Sequence, residues 1–318
     1  MSRVVILTFD GAQGLDVVGP AEVFGGVARI TGARGYDVVV AASRAGAVAT
    51  SSGLALGVRG LAGLAVRRSD TVLVAGGEEG GVRAAVGDRA LVRFVARAAR
   101  RARRIGSVCS GAFVLAAAGV LDGKRAATHW SACRQLAAYR PAVRVDPESI
   151  YVRDGTVWTS AGVTTGIDMA LAMVEDDLGR AVADAVAARL VLHARRPGFQ
   201  SQWSDALVAQ QDRGAPLGRA IGWLREHVRE PIDVERLARH CAMSVRTFHR
   251  RCLEHLRITP RRLIENVRIE EARALLATTE LPVKTIAARC GFGDATRMSH
   301  AFHRALGLAP GAYRLVAG

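Results

Sequence analysis

The chain has 318 residues, half of them apolar and 23% charged, with 44 basic against 29 acidic residues for a net charge of +15. That length implies two or three domains, the composition excludes a disordered chain, and a surplus of this size points to a polyanionic partner, nucleic acid first. No apolar run approaches the ~20 residues of a membrane span, the start MSRVVILTFDG lacks a signal-type apolar region, and five scattered cysteines without CxxC speak against a disulfide framework or zinc module and fit a reducing cytoplasm.

The first two thirds alternate short β-branched runs with longer helical stretches. Strands are expected at Val4–Phe9, Asp37–Ala42, Thr71–Ala75 and Arg104–Val108, and helices at Val18–Ile30, Arg89–Arg101, Gly111–Ala118 and Gly166–Leu178. Alternating βα units predict an α/β fold: a flavodoxin-like, mostly parallel sheet with helices on both faces, whose ligands sit beyond the carboxyl ends of the strands. The chemistry-bearing residues fall at those ends. Arg104-Ile-Gly-Ser-Val-Cys109-Ser110-Gly-Ala-Phe113 reads as strand, cysteine, small residues, helix. A thiol at such a turn faces outward, and a helix start beside it can lower its pKa or stabilise an oxyanion. Gly76 and Gly77 close another strand and offer bare backbone donors. Asp16 and Glu22 follow the first strand, and His129 follows the cysteine.

In this chain order, residues 3–195 resemble the ThiJ/PfpI family of the class I glutamine amidotransferase-like fold. Cys109 matches the family's elbow cysteine, Asp16 its acidic partner and His129 the histidine after the elbow. The tract Thr159-Ser-Ala-Gly162-Val-Thr-Thr-Gly166-Ile-Asp168 resembles the branch fused to DNA-binding regulators. The resemblance implies a sensor pocket for a small molecule or redox state, with Asp16, Gly76, Gly77, Cys109, Ser110 and His129 as ligand-binding residues. The alternative is a cysteine-dependent hydratase or amidohydrolase using Cys109.

Arg195–Pro216, rich in Pro, Gly, Gln and Asp, reads as a linker with room for one short helix. Beyond it positive charge is densest: residues 216–318 hold 18 basic and 10 acidic residues, against 26 and 19 in residues 1–215. Two units there repeat one plan. Asp233–Cys241 forms a short helix, Ala242-Met243 a turn, and Ser244 caps a second helix from Val245. Pro282–Cys290 forms another helix, Gly291–Gly293 a turn, and Asp294 caps a helix from Ala295. A long helix, about Arg261–Ala277, joins them. Ala238 and Ala287 are small enough for the helices of each pair to cross closely. Two such helix-turn-helix units, ending Gly307-Leu-Ala-Pro310-Gly-Ala-Tyr313-Arg314, resemble the AraC/XylS-type DNA-binding domain over about residues 217–315, with Arg257-Ile-Thr-Pro260 as the first unit's counterpart of that ending.

By that resemblance the DNA-reading residues are Val245, Arg246, Thr247 and His249 in the first unit and Ala295, Thr296, Arg297 and His300 in the second, with Arg250 on phosphate. Arg251, Arg261, Arg262 and Arg273, and the run Arg100–Arg104, are expected on solvated faces. The expected whole is a sensor domain at 1–195, a linker at 196–216 and an all-α DNA-binding domain at 217–318. It would act as a cytoplasmic bacterial transcriptional regulator, not an enzyme, with no metal or cofactor. Its expected partners are double-stranded DNA read in the major groove, a second copy of the chain through the N-terminal domain, and a small-molecule effector, with no membrane.

Overall fold

The computed structural model describes residues 2–32, 35–192, 195–198, 200, 202, 216–256, 258–306 and 309–317. The chain divides into two compact units, Met1–Gln202 and Trp203–Gly318.

The described residues of the first unit form strands β1 (Ser2–Leu7), β2 (Tyr36–Ala42), β3 (Gly46–Ala49), β4 (Ala55–Gly60), β5 (Thr71–Val74), β6 (Arg104–Val108), β7 (Arg125–Ala126), β8 (Arg144–Val145), β9 (Tyr151–Asp154) and β10 (Val157–Ser160). Its helices are α1 (Gly14–Thr31), α2 (Glu79–Gly87), α3 (Arg89–Arg101), α4 (Ala112–Ala117), α5 (Cys133–Tyr139), α6 (Thr165–Leu178) and α7 (Arg180–Arg189). The main sheet runs β3-β4-β2-β1-β5-β6-β10-β9. Strands β4, β2, β1, β5, β6 and β10 are parallel; β3 and β9 close the two edges antiparallel. The β2-β1-β5-β6-β10 core follows the flavodoxin-like strand order, which reverses between β1 and β5.

Period-2 alternation explains why helices cover both faces. In β1, Val5 and Leu7 join one apolar cluster with α3 and α4, whereas Val4 and Ile6 join the other with α1, α6 and α7. In β5, Val72 and Val74 face the first cluster and Leu73 the second. The buried charges Arg3, Asp70 and Arg104 are paired. Asp70, fully buried, holds Arg3, and Asp177 takes Arg104, Arg103 and the Tyr36 hydroxyl. Arg104, buried, therefore does not belong to the solvated face expected of the run Arg100–Arg104, whereas Arg103 stays exposed while pairing with the same carboxyl. Arg104 opens β6 and its side chain lies under α6, donating to Thr71 Oγ1 as well.

The first unit continues beyond residue 195. Arg196 pairs with Asp168, Tyr151 N–H donates to Gly198 O, Ile150 N–H to Gln200 O, and Gln202 N–H to Glu148 O. These residues, expected as the start of a linker, are fastened to the sheet edge. The remainder of that stretch, 203–215, lies outside the described residues, as do Arg257, Gly307 and Leu308 of the two motif endings.

The second unit is helical, with helices at Pro216–Glu226, Val234–His240, Val245–Arg251, Pro260–Thr278, Val283–Arg289, Ala295–Leu306 and Pro310–Ala317. Ser244 and Asp294 cap their helices as expected, and Asp233 and Thr259 cap two more. Asp233 accepts from Arg236 N–H, Ser244 from Thr247 N–H, Thr259 from Arg262 N–H and Asp294 from Arg297 N–H. Each cap satisfies a backbone donor otherwise left open, worth ~1 kcal/mol. Arg273 is not solvated: it is buried, donates to Tyr313 Oη and packs over that ring.

Candidate functional site

Cys109 sits where β6 ends, at φ 56°. An L-residue rarely adopts that left-handed geometry, so its surroundings must hold it there. Ala112 N–H donates to Cys109 O, and Thr128 Oγ1 donates to the same carbonyl at 2.9 Å. Two glycines leave room for the elbow. A Cβ at Gly76 would lie 2.7 Å from Cys109 Cβ, and one at Gly162 would lie 2.3 Å from it, at a glycine whose φ is 107°. The sequence tracts Val-Ala-Gly76 and Ser-Ala-Gly162 thus bring the ends of β5 and β10 against the cysteine.

Asp16 lies behind this elbow, in the first turn of α1, fully buried. Its carboxyl accepts from Gly76 N–H at 3.0 Å and Val163 N–H at 2.8 Å. It therefore ties α1 to the loops after β5 and β10. Burial raises its pKa to about 6, against the pull of those two donors. Burial also pushes the Cys109 thiol up to about 12, with the Asp16 charge adding and Ser110 opposing. The lowered thiol pKa expected from the helix start does not arise, because desolvation outweighs the few exposed amides there. Nor is Gly76 N–H a free oxyanion donor, since Asp16 holds it. Gly77 N–H donates to Ser110 Oγ, which donates back to Gly77 O.

Cys109, Ser110, Gly77 and His129 line one cavity of about 610 Å³, whose apolar wall includes Val82, Phe113 and Tyr139. The Phe113 and Tyr139 rings are 5.8 Å apart. Asp16 and Gly76 stand behind the cavity rather than on its lining. His129 reaches the lining but not the thiol: Nδ1 pairs with Ser131 Oγ at 2.7 Å and caps the short turn Trp130–Ala132. Among the described residues no hydrogen bond joins it to Cys109. Burial lowers the His129 pKa, so the ring is neutral. Sequence reading missed the aromatic wall, which pairs side chains 26 positions apart, and Gln202. The Gln202 amide donates to Thr128 O and Ser149 O, each at 3.1 Å. Thr128 thus connects the elbow carbonyl to the last described residue of the first unit.

In the second unit, Val245 and His249 of one recognition helix and Arg297 and His300 of the other line a single cleft of about 960 Å³. Arg261, Arg262, Arg268 and Arg304 line it too. Arg246, Arg250 and Thr296 are exposed outside that lining, with Thr247 and Ala295 half-buried. Thr247 Oγ1 is engaged with Ser244 Oγ. Phe248, Met298 and Phe302 are fully buried and hold the two recognition helices on the unit's core.

A profile of the DJ-1/PfpI family matches residues 2–176, and one of a helix-turn-helix domain matches residues 237–315. The chain is 30% identical to the HTH-type transcriptional regulator GlxA of Rhizobium meliloti, over 85% of this chain and 82% of that one. It is 39% identical to the isonitrile hydratase of Pseudomonas putida over 136 residues, 43% of this chain and 57% of the hydratase. It spans about two thirds of the length of the Pseudomonas aeruginosa regulators that it matches. A ThiJ/PfpI family protein from Pseudomonas syringae has the same fold, with a TM-score of 0.55 at 29% identity over 66% of this chain and 84% of that structure. Among the described residues no helix is long and apolar enough to cross a membrane.

Proposed function

The chain belongs to the DJ-1/PfpI family, and from that premise we propose that it is a sequence-specific transcriptional regulator whose N-terminal unit senses a small molecule in the Cys109 cavity. The observation that carries the reading is the pair of capped helix-turn-helix units, whose recognition helices open onto one cleft rich in arginine. Arg246 and Arg297 read base edges, because a guanidinium fork matches guanine O6 and N7. Thr247, Ala295, Thr296, Val245, His249 and His300 complete the reading surface, and Arg250 takes a phosphate. A homodimer through the N-terminal unit belongs to the same reading, since joining two weak binders raises effective concentration. The protein would act in the bacterial cytoplasm, where the DNA is.

The hydratase likeness favours a second reading, catalysis by Cys109. Three features speak against it. The thiol is protonated at neutral pH, Gly76 N–H is taken by Asp16, and His129 is turned to Ser131. The protonated thiol also favours a bound effector over an oxidation signal, because the thiolate is the species that oxidises. The ligand would be small, with an apolar body for the Phe113–Tyr139 wall and a polar group for Ser110, His129 or Gln135. Coupling runs through Thr128, bonded to the Cys109 carbonyl on one side and to Gln202 on the other.

The test is a binding assay of the full chain on its own upstream region and on random duplex at about 150 mM salt, beside genome-wide occupancy of the tagged protein. Selective binding that survives Cys109→Ser is expected. Equal affinity for both duplexes overturns the regulator reading. Isonitrile turnover abolished by Cys109→Ser would restore the enzyme.

A further inference from the structure

The positive surplus of the first unit is concentrated in one stretch. Residues 59–104 hold eleven arginines against four acids, a difference equal to the whole surplus of residues 1–215. The structure sorts these arginines into two groups. Arg104 is buried against Asp177, the exposed Arg103 pairs with the same carboxyl, and Arg83 pairs with Glu79. On α3, by contrast, the inward face is Leu91, Phe94, Val95 and Ala98. That leaves Arg89, Arg93, Arg97 and Arg100, at steps of four, four and three, as one outward stripe. Arg68 and Arg101 join Arg100 around a surface hollow of about 590 Å³. All six are exposed, and among the described residues none is in an ion pair.

Helix stability does not account for the stripe. Cations favour the last turn, where Arg100 and Arg101 stand, but Arg89 opens the helix, where the macrodipole disfavours a positive charge. Four guanidiniums at about one-turn spacing also repel one another. The stripe from Arg89 to Arg100 is about 16 Å long at 1.5 Å per residue, the axial length of about five base pairs. No large apolar side chain is exposed between the arginines, as insertion into a membrane surface would need.

We propose that the arginine stripe of α3 binds the phosphate backbone of duplex DNA flanking the site read by the helix-turn-helix units. The partner follows from charge and tethering. Arginine forks fit phosphate oxygens bidentately, and a chain already held on DNA by one unit presents the other to the same duplex at high effective concentration. The stripe adds affinity without sequence information, because phosphates carry none. This rests on the DNA-binding reading above.

The test uses the full chain, a duplex of about 60 base pairs from its own upstream region, and salt titration from 50 to 200 mM. Arg93→Gln/Arg97→Gln/Arg100→Gln should reduce the slope of log affinity against log salt by about 3, so that the wild type loses roughly 40-fold more affinity than the variant across that range. Its preference for the upstream duplex over random duplex should be unchanged, and its thermal melt should match the wild type. Lysine at the same three positions should keep the steep slope. An unchanged slope in the glutamine variant overturns the proposal; if that variant instead loses binding to an acidic peptide, the stripe is a protein-docking face. Should the wild type show no preference between duplexes, the regulator reading fails, while a stripe-dependent slope on both still supports this one.

Discussion

Asp16→Asn tests the buried carboxyl on which the elbow is assembled. The carboxylate offers one oxygen to Gly76 N–H and the other to Val163 N–H. Asparagine keeps one acceptor and turns an NH₂ toward the second donor, so one buried hydrogen bond is lost and two donors face each other. That costs about 1–3 kcal/mol when the carboxyl is protonated or ionised alike. A pH-dependent part is added. The folded-state pKa is raised to about 6 by burial from the ordinary 3.8. A folded state that holds its proton more tightly is most stable below the unfolded pKa, and that advantage is lost as pH rises through about 6. The full shift is worth about 3 kcal/mol, of which about 2 kcal/mol falls between pH 4.5 and 7.5. Asparagine does not titrate there. The stability difference between wild type and Asp16→Asn, from urea unfolding at a series of pH values, should therefore favour the wild type by about 2 kcal/mol more at pH 4.5 than at pH 7.5. The same substitution removes the charge that helps to raise the Cys109 pKa, so alkylation of Cys109 should begin at lower pH. A difference flat across that window would show that burial does not hold the proton on Asp16, and the explanation of the quiet thiol would fall with it.

The remaining predictions concern packing, coupling and DNA reading. Gly162→Ala forces a Cβ to 2.3 Å from Cys109 Cβ at φ 107°; the thermal midpoint should fall by an amount equivalent to about 2–5 kcal/mol, and a change below 1 kcal/mol would refute the packed elbow. Gln202→Leu removes both side-chain bonds, to Thr128 O and Ser149 O; hydrogen exchange should quicken around residues 128–131 and 148–151 with global stability changed by only about 1 kcal/mol, and unchanged exchange would remove Gln202 from the coupling path. Arg246→Ala and Arg297→Ala should each cost about 1–3 kcal/mol at a few bases, whereas Arg250→Ala should weaken all duplexes alike; competition binding on operator variants separates the two, and a uniform loss from Arg246→Ala would show that the helix is misregistered.

The fold was legible wherever one local rule decided it. Strands β1 and β5 are buried on both faces, so Val4–Leu7 and Val72–Val74 read as uninterrupted apolar runs. The helix starts in the second unit are marked by Asp233, Ser244, Thr259 and Asp294, whose capping depends on chain neighbours alone. What went unread depends on distant partners. The hairpin β3–β4 is short, glycine-rich and mostly exposed, so the alternation of Leu56 and Val58 with Gly57 and Arg59 is too brief to mark it. The hairpin β9–β10 did carry a signal, the two-residue turn Gly155-Thr156 with Gly155 at φ 65°. Of the run Arg100–Arg104, three arginines are exposed and Arg104 alone of the four is buried, against Asp177. Charge alone cannot separate them; the helix ends at Arg101 and a buried strand starts at Arg104. The thiol pKa was not legible for a related reason. A helix start is visible in sequence, but the burial that outweighs it comes from Gly76, Gly162 and Asp16, contributed by three other segments.

The same contacts that quiet Cys109 suit it to sensing. A catalytic cysteine needs a base within reach and an open oxyanion site before substrate arrives, and both positions here are filled from within the protein. A sensor needs something else: a bound ligand must favour one of two arrangements of an element that reaches the output. Phe113 and Tyr139 close one side of the cavity, and the Thr128–Ala132 segment forms the other. That segment is tied by Thr128 Oγ1 to the elbow, by the His129–Ser131 pair, by Cys133 Sγ to Thr128 O and His129 O, and by Gln202 to Thr128 O. Among the described residues Gln202 Oε1, buried, has no hydrogen-bond partner. An unsatisfied buried acceptor costs about 1–3 kcal/mol, comparable to the coupling free energy by which effectors commonly act. A ligand that shifts the Thr128–Ala132 segment would therefore be felt at Gln202, the last described residue of the first unit, by an energy of that order.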